Sequence, residues 1–126
     1  MTRLVLDTHA FLWWLTDDPA LSVAARDAIA DPAAVVYVSA ASTWEISIKS
    51  QLGRIEILDS DMVAEISAND LAELPIAARH ADRAGHLPAH HADPFDRMLI
   101  AQAQLEGLVC VTRDQAFEAY GVPLLW

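Results

Sequence analysis

Short apolar runs alternate along this chain with longer segments of helical periodicity. We predict strands over residues 4–6, 35–38, 73–76, 109–112 and 122–126. We predict helices over about residues 8–16, 22–30, 42–52, 60–69, 77–85, 94–106 and 114–119, the fourth opening at Asp59 or Ser60. Strands that are separated by helices pair in parallel, because each connection crosses over the sheet. The alternation therefore predicts an α/β fold, a single three-layer domain over residues 1–126 with a central parallel sheet flanked by helices.

The composition fits a folded domain and excludes several classes of protein. The chain has 126 residues, of which 54% are hydrophobic, so it is too apolar to be intrinsically disordered. Its apolar runs are too short to cross a bilayer, and its amino terminus lacks the apolar core of a signal peptide. We therefore expect a cytoplasmic protein that does not associate with membranes. The lone Cys110 lies in a predicted strand, where we expect a buried thiol without a disulfide.

Four carboxylates stand where predicted strands end or predicted helices begin, namely Asp7, Glu45, Asp96 and Asp114. Parallel sheets place their ligands at the carboxyl ends of the strands, so we expect these side chains to converge. Carboxylates in one cleft repel each other unless cations lie among them, and oxygen ligands suit Mg2+ or Mn2+ better than zinc. The pattern favours a metal-dependent phosphodiesterase, with RNA as its expected substrate.

Each of these acids also has a structural interpretation as a helix cap. Glu45 lies three residues after Ser42, which is the spacing of a capping box, although Ser39 is an alternative cap for the same helix. Asp93 with Pro94 already supplies a cap and a first-turn proline, so Asp96 is not needed to begin its helix. We assign the capping role to Asp93. Four such coincidences at one edge of a sheet are better explained by a shared site.

The histidines suggest a zinc site, but their spacing does not favour one. His90 and His91 are adjacent, with Asp93 close by, and they lack the i, i+4 helical spacing of zinc proteases. His9 follows Asp7 by two residues, and we expect its ring to pack. The sequence contains no G-x-S-x-G, P-loop or G-x-G-x-x-G motif, which disfavours serine hydrolases and nucleotide-binding folds.

The net charge of −10 runs against nucleic-acid binding, which usually needs a basic surface. Bound metal ions would offset part of this charge. The cations nearest to the acidic motifs form the expected path for RNA, and they are Lys49, Arg54, Arg97 and Arg113.

Two adjacent tryptophans in the first predicted helix indicate an interface. Trp13 and Trp14 point about 100° apart on a helix, so one buried face cannot cover both. We therefore expect a partner groove formed by the helices over residues 8–16, 22–30 and 45–52.

These segments together resemble the motifs of PIN-domain proteins, and in particular those of VapC-type toxins. The resemblance covers nearly the whole chain in the expected order, through residues 4–9 (LVLDTH), 42–46 (STWEI), 93–103 (DPFDRMLIAQA), 111–114 (VTRD) and 120–126 (YGVPLLW). It implies a PIN-like fold.

The same resemblance implies a function. In that family, the acids that match Asp7, Glu45, Asp96 and Asp114 bind Mg2+ or Mn2+ and support RNA cleavage. It also implies a homodimeric toxin that cuts tRNA, rRNA or mRNA, inhibits translation and is held inactive by a VapB-like antitoxin. Asp93 belongs to the motif as well, so its place in the metal site stays open. Two alternatives remain: a non-catalytic α/β binding module, or another Mg2+-dependent phosphoesterase such as a phosphatase.

Overall fold

A computed structural model describes residues 2–55 and 61–126 of the chain. In this part, five parallel strands form one sheet in the order β3-β2-β1-β4-β5. The strands are β1 (Arg3–Leu6), β2 (Val35–Ser39), β3 (Ala72–Leu74), β4 (Val109–Val111) and β5 (Leu124–Leu125). The predicted α/β class and parallel sheet are confirmed. The short β3 lies at the edge of the sheet and is followed directly by Pro75, which has no N–H to donate to a neighbouring strand.

The helices follow the predicted order closely. They are α1 (Thr8–Leu15), α2 (Val23–Ala30), α3 (Ala40–Gln51), α4 (Met62–Ala68), α5 (Ala78–His86) and α6 (Pro94–Glu106). The last predicted helix is a 3-10 helix over Gln115–Tyr120. The predicted starts of the fourth helix at Asp59 or Ser60 lie outside the described residues, and Asp61 caps α4. Within the described ranges, no helix is long and apolar enough to cross a membrane.

The helices lie on both faces of the sheet and give it two apolar cores. Side chains alternate along a strand, so Leu4 and Leu6 face one layer while Val5 faces the other. The first core is completed mainly by α1 to α4, and the second by α5, α6 and the 3-10 helix. Cys110 is buried in the second core, as expected, and burial raises the pKa of its thiol to about 12. Cys110 is therefore a packing residue rather than a nucleophile.

The cap of α3 decides which polar side chains face the carboxyl edge of the sheet. The Ser39 hydroxyl accepts a hydrogen bond from the Ala41 N–H at 3.0 Å, so the capping box predicted for Ser42 and Glu45 is not formed. Ser42 instead lies inside the helix and is fully buried. This difference leaves Ser42 and Glu45 on the inner face of α3, where they contact α1.

Candidate metal centre

The four predicted carboxylates come together at the carboxyl ends of the central strands. Asp7 directly follows β1 and Asp114 follows β4, while Glu45 and Asp96 lie on α3 and α6. The negative charges of Asp7 and Glu45 raise the pKa of Asp96, and the charge of Asp114 raises the pKa of Asp7. The four carboxylates are thus near enough to repel one another. The convergence that the strand pattern predicts is therefore present in the fold.

Among these four carboxylates, Asp96 is the one whose ionised form is most strongly disfavoured by its surroundings. Burial raises its pKa to about 7, the Asp93 carboxylate adds to the rise, and His91 opposes it. Its Oδ2 atom lies 3.0 Å from the His91 Nε2 atom. A partly buried carboxylate beside like charges, such as Asp96 with its side chain 23% exposed, is poorly stabilised as an anion unless a cation approaches it.

Asp7 caps a helix and also lines the cleft, by which we mean the space between Asp7, Glu45, Asp96 and Asp114. Its Oδ1 atom accepts a hydrogen bond from the Ala10 N–H at 2.7 Å and so caps α1. Burial raises the pKa of Asp7, while hydrogen bonds from the Thr112 hydroxyl and from Ala10 lower it. The Thr112 Oγ1 atom also accepts a hydrogen bond from the Asp114 N–H at 3.0 Å. Thr112 therefore links the Asp7 carboxylate to the backbone of Asp114.

Both oxygens of Glu45 are held by other side chains. The Thr8 Oγ1 atom donates to Oε1 at 2.5 Å, and the Lys49 ammonium lies 2.5 Å from Oε2. The Ser42 Oγ atom lies 3.0 Å from the Thr8 Oγ1 atom, and since Thr8 has a single proton to donate, Ser42 is the donor in that pair. Glu45 is only 4% exposed, so its orientation is fixed by these contacts.

Asp93 and Asp114 both cap helices, as their structural interpretations predict. The Asp93 Oδ1 atom accepts hydrogen bonds from the Phe95 N–H at 2.8 Å and the Asp96 N–H at 3.1 Å. The Asp114 Oδ1 atom accepts one from the Ala116 N–H at 2.9 Å. Its second oxygen, Oδ2, points into the cleft, so the capping role of Asp114 does not remove it from the site.

His91 is part of the cleft, although its spacing in the sequence does not predict this. Its Nε2 atom lies 3.0 Å from Oδ2 of Asp96 and 3.0 Å from Oδ2 of Asp114. The three side chains offer ligand atoms within 4.8 Å of one another. The loop between α5 and α6 folds back and delivers His91 to the sheet edge. The available signal was its position five residues before Asp96, just ahead of the cap of α6.

Arg97 has a structural role in place of the predicted role in an RNA path. Its guanidinium donates to four backbone carbonyl groups, one in the last turn of α5 and three in the loop that follows, those of Ala84 (2.9 Å), Leu87 (2.8 Å), Pro88 (3.0 Å) and His91 (3.2 Å). These bonds fix the loop that carries His91.

The two tryptophans of α1 are covered by neighbours that lie far away in the sequence. Trp13 contacts Trp126 with ring centroids 5.8 Å apart, and the Arg113 guanidinium lies 4.8 Å above the Trp13 ring. His9 packs on the same ring at 5.5 Å, as predicted. Trp14 is half-buried against the first core. The expectation that Trp13 and Trp14 leave a large exposed apolar surface is therefore wrong.

Three of the exposed large apolar side chains lie close to one another on α3, at its C-cap and on α4. Trp44 is 62% exposed, Leu52 63% and Val63 67%. A groove runs between these two helices and is lined by residues of both, including Trp44, Ile48, Met62 and Val63.

The side chains of the cleft fit a divalent cation. Among the described residues, Lys49 is the only lysine or arginine within 4.0 Å of the cleft carboxylates, and it contacts Glu45 alone. In the part of the chain that the structure describes, negative charge on Asp7, Asp96 and Asp114 is thus left without a lysine or arginine, with only His91 beside Asp96 and Asp114, and burial disfavours the ionised forms of Asp7 and Asp96. An oxygen-rich donor set of this kind suits Mg2+ or Mn2+.

Comparison with known proteins identifies the family. Residues 4–123 match the model of the PIN domain, and the chain belongs to the PIN domain family. Within that family it is similar to Ribonuclease VapC22 of Mycobacterium tuberculosis (strain ATCC 25618 / H37Rv), with 30% identity over 125 residues, 98% of this chain and 95% of the relative. The resemblance to VapC-type proteins that the motifs indicate is confirmed.

Solved structures show the same fold. VapBC2 from Rickettsia felis, bound to a DNA fragment from their promoter, matches with a TM-score of 0.71 and 14% identity, over 98% of this chain and 97% of that one. PAE2754 from Pyrobaculum aerophilum matches with a TM-score of 0.56 and 14% identity, over 98% and 89%. FitAcB from Neisseria gonorrhoeae matches with a TM-score of 0.54 and 18% identity, over 96% and 95%.

Proposed function

We propose that this protein is a Mg2+- or Mn2+-dependent endoribonuclease that acts as a VapC-like toxin. The observation that carries the proposal is the convergence of four carboxylates at the carboxyl ends of the central strands, where Asp96 and Asp114 both lie 3.0 Å from His91 and the surroundings of the partly buried Asp96 raise its pKa to about 7. A divalent cation would stabilise these charges together. Membership of the PIN domain family and similarity to a protein named Ribonuclease VapC22 support the activity.

We assign the following roles to the residues of the cleft. Asp96 and Asp7 would hold the ion, with Asp114 as a further oxygen donor. A divalent cation bound there supplies positive charge, which lowers the pKa of water and offsets charge on the scissile phosphate. Glu45 is held by Thr8 and Lys49, so it is oriented to accept a hydrogen bond from the attacking water. In the overall reaction, water adds to phosphorus and a ribose oxygen leaves.

The acidic chain needs a local positive surface to hold RNA. Arg113 is exposed beside Asp114, and it stacks on Trp13 next to the exposed ring of His9. Cations and aromatic rings arranged in this way suit contact with phosphates and unpaired bases. We propose that cleavage of tRNA, rRNA or mRNA in the cytoplasm inhibits translation.

The first test separates this proposal from its alternatives with the unmodified protein. Addition of millimolar Mn2+ or Mg2+ to the EDTA-treated protein is expected to raise its melting temperature, because binding to the folded state stabilises it. The same addition should start RNA cleavage without hydrolysis of p-nitrophenyl phosphate. Hydrolysis of that small ester would favour a phosphatase. Absence of both a thermal shift and cleavage would favour the non-catalytic module, and cleavage in EDTA would contradict the metal requirement.

We further propose that a VapB-like antitoxin binds in the groove between α3 and α4. The groove is apolar and exposed, and at Trp44 it reaches the residue next to Glu45. An amphipathic segment lying there would approach the cleft and block RNA. We propose separately that the toxin is a homodimer, as the resemblance to VapC-type toxins implies.

Trp44→Ser is expected to weaken antitoxin binding by tenfold or more, because exposed aromatic anchors dominate such interfaces. RNA cleavage by the free protein and its molecular mass in solution should stay unchanged. Val23→Ser, an exposed apolar residue on α2, is the matched control and should leave the affinity unchanged. Retained affinity together with conversion of a dimer to a monomer would instead place the homodimer contact in this groove.

A further inference from the structure

Among the histidines that the structure describes, His91 is the one that contacts two carboxylates of the cleft. Its Nε2 atom lies 3.0 Å from both Asp96 and Asp114. The two acids reach this point from different elements, since Asp96 belongs to α6 and Asp114 precedes the 3-10 helix. Asp114 is 45% exposed at its side chain, so without His91 its second oxygen would face solvent.

The other ring nitrogen of His91 decides what Nε2 can do. The backbone N–H of Asp93 donates a hydrogen bond to Nδ1 at 3.2 Å. A backbone N–H can only donate, so Nδ1 must present its lone pair. In a neutral imidazole the proton then resides on Nε2. A protonated Nε2 is a hydrogen-bond donor and has no lone pair for a metal ion.

The ring of His91 is held in this orientation from several sides. It packs against the buried ring of Phe117 with centroids 6.0 Å apart. The carbonyl oxygen of His91 accepts a hydrogen bond from Arg97 at 3.2 Å, and the His91 N–H donates to the Tyr120 hydroxyl at 2.7 Å. These contacts hold the ring in one orientation, so that His91 is a fixed donor.

We infer that His91 is a positioning residue: its Nε2–H holds the carboxylates of Asp96 and Asp114 together, and His91 is not itself a ligand of the ion. This inference rests on the proposed metal centre. In the cluster of His91, Asp96 and Asp114, the two acids bind the cation and the histidine fixes the distance between the two carboxylates. Hydrogen-bond donors behind metal-binding carboxylates commonly tune affinity in this way.

Two substitutions separate donation from ligation. In His91→Gln the amide NH2 can replace the Nε2–H donor, so Mn2+ affinity should stay within about threefold of the unmodified protein. In His91→Leu no donor remains, so affinity should fall by roughly tenfold or more. His90→Gln is the matched control, because the neighbouring His90 ring contacts Tyr120 outside the cleft, and its affinity should not change. Equal losses in His91→Gln and His91→Leu would overturn the donor role.

Spectroscopy of the unmodified protein gives a readout that does not depend on activity. Nitrogen NMR of His91 should show the Nε2–H tautomer both in EDTA and after addition of Mg2+. Electron spin echo measurements on bound Mn2+ should show no directly coordinated nitrogen. Transfer of the proton to Nδ1 with Mg2+, or nitrogen coupling to Mn2+ that His91→Leu removes, would make His91 a ligand and overturn the inference.

The metal-free measurement keeps the inference distinct from the proposed function. If the protein binds no divalent ion, the proposed function fails, but the tautomer of His91 in EDTA still tests the contact with the two acids. An Nδ1–H tautomer in EDTA would overturn the inference even if the protein cleaves RNA with Mn2+.

Discussion

Asp96→Asn is expected to abolish RNA cleavage and, at the same time, to stabilise the metal-free protein. Burial raises the pKa of Asp96 from 3.8 to about 7, so the folded state holds this proton to higher pH than the unfolded chain does. The metal-free protein therefore loses stability as the pH rises through that interval. Asparagine has nearly the same volume and stays neutral at every pH. Asparagine therefore removes the free-energy cost of ionising this side chain in the folded protein. It also removes a negative charge that the cation needs.

The expected size of the effect makes it measurable. Above the pKa of Asp96, in EDTA, we expect the melting temperature of Asp96→Asn to exceed that of the unmodified protein by about 5 °C. With saturating Mn2+ the order should reverse, because only the unmodified protein gains stability from the ion. A lower melting temperature of the variant in EDTA, or growth arrest when it is expressed without antitoxin, would contradict the assignment of Asp96.

Asp93→Asn is the matched control for this substitution. Asparagine is as good a helix cap as aspartate, so the hydrogen bonds to the first turn of α6 should be kept. We expect Asp93→Asn to lower RNA cleavage much less than Asp96→Asn does. Equal losses of cleavage would place Asp93 among the residues that hold the metal.

The sheet and its carboxylates can be predicted from the sequence because they depend on local patterns. Buried strands of three to five residues are recognisable as short apolar runs between helical segments, and parallel pairing brings the residues after them to one edge. Asp7 and Asp114 follow from that rule alone. Asp96 can be predicted as a site residue because α6 begins with two acids and Asp93 already supplies the cap.

Other features depend on contacts that sequence spacing does not show. Ser39 and Ser42 both fit a cap for α3, and only the end of β2 decides between them. The burial of Trp13 depends on Trp126, more than a hundred residues away in the sequence. The place of His91 depends on the path of the loop between α5 and α6, which is fixed by hydrogen bonds to backbone carbonyls rather than by a residue pattern.

The second large effect concerns the same loop. Arg97→Met is expected to destabilise the fold and to lower the affinity of the metal centre for Mn2+, although it substitutes none of the carboxylates. The guanidinium of Arg97 donates to one carbonyl group at the end of α5 and to three of the loop, and methionine can replace none of these bonds. Carbonyl groups left without a donor in a partly buried site cost free energy, so we expect a loss of roughly 2–4 kcal/mol in the free energy of unfolding. For a chain of this length that lowers the melting temperature by roughly 8–15 °C.

The control for Arg97→Met is Arg83→Met. Arg83 is exposed on α5 and donates to the side chain of Gln104, so its loss should change the melting temperature by no more than about 2 °C. At a temperature where both variants are folded, only Arg97→Met should also lower the Mn2+ affinity, because the carbonyl of His91 is one of its four acceptors. An unchanged melting temperature for Arg97→Met would show that the loop holds its path without the guanidinium. Lower stability with full Mn2+ affinity would show instead that His91 keeps its contacts with Asp96 and Asp114 independently of the loop.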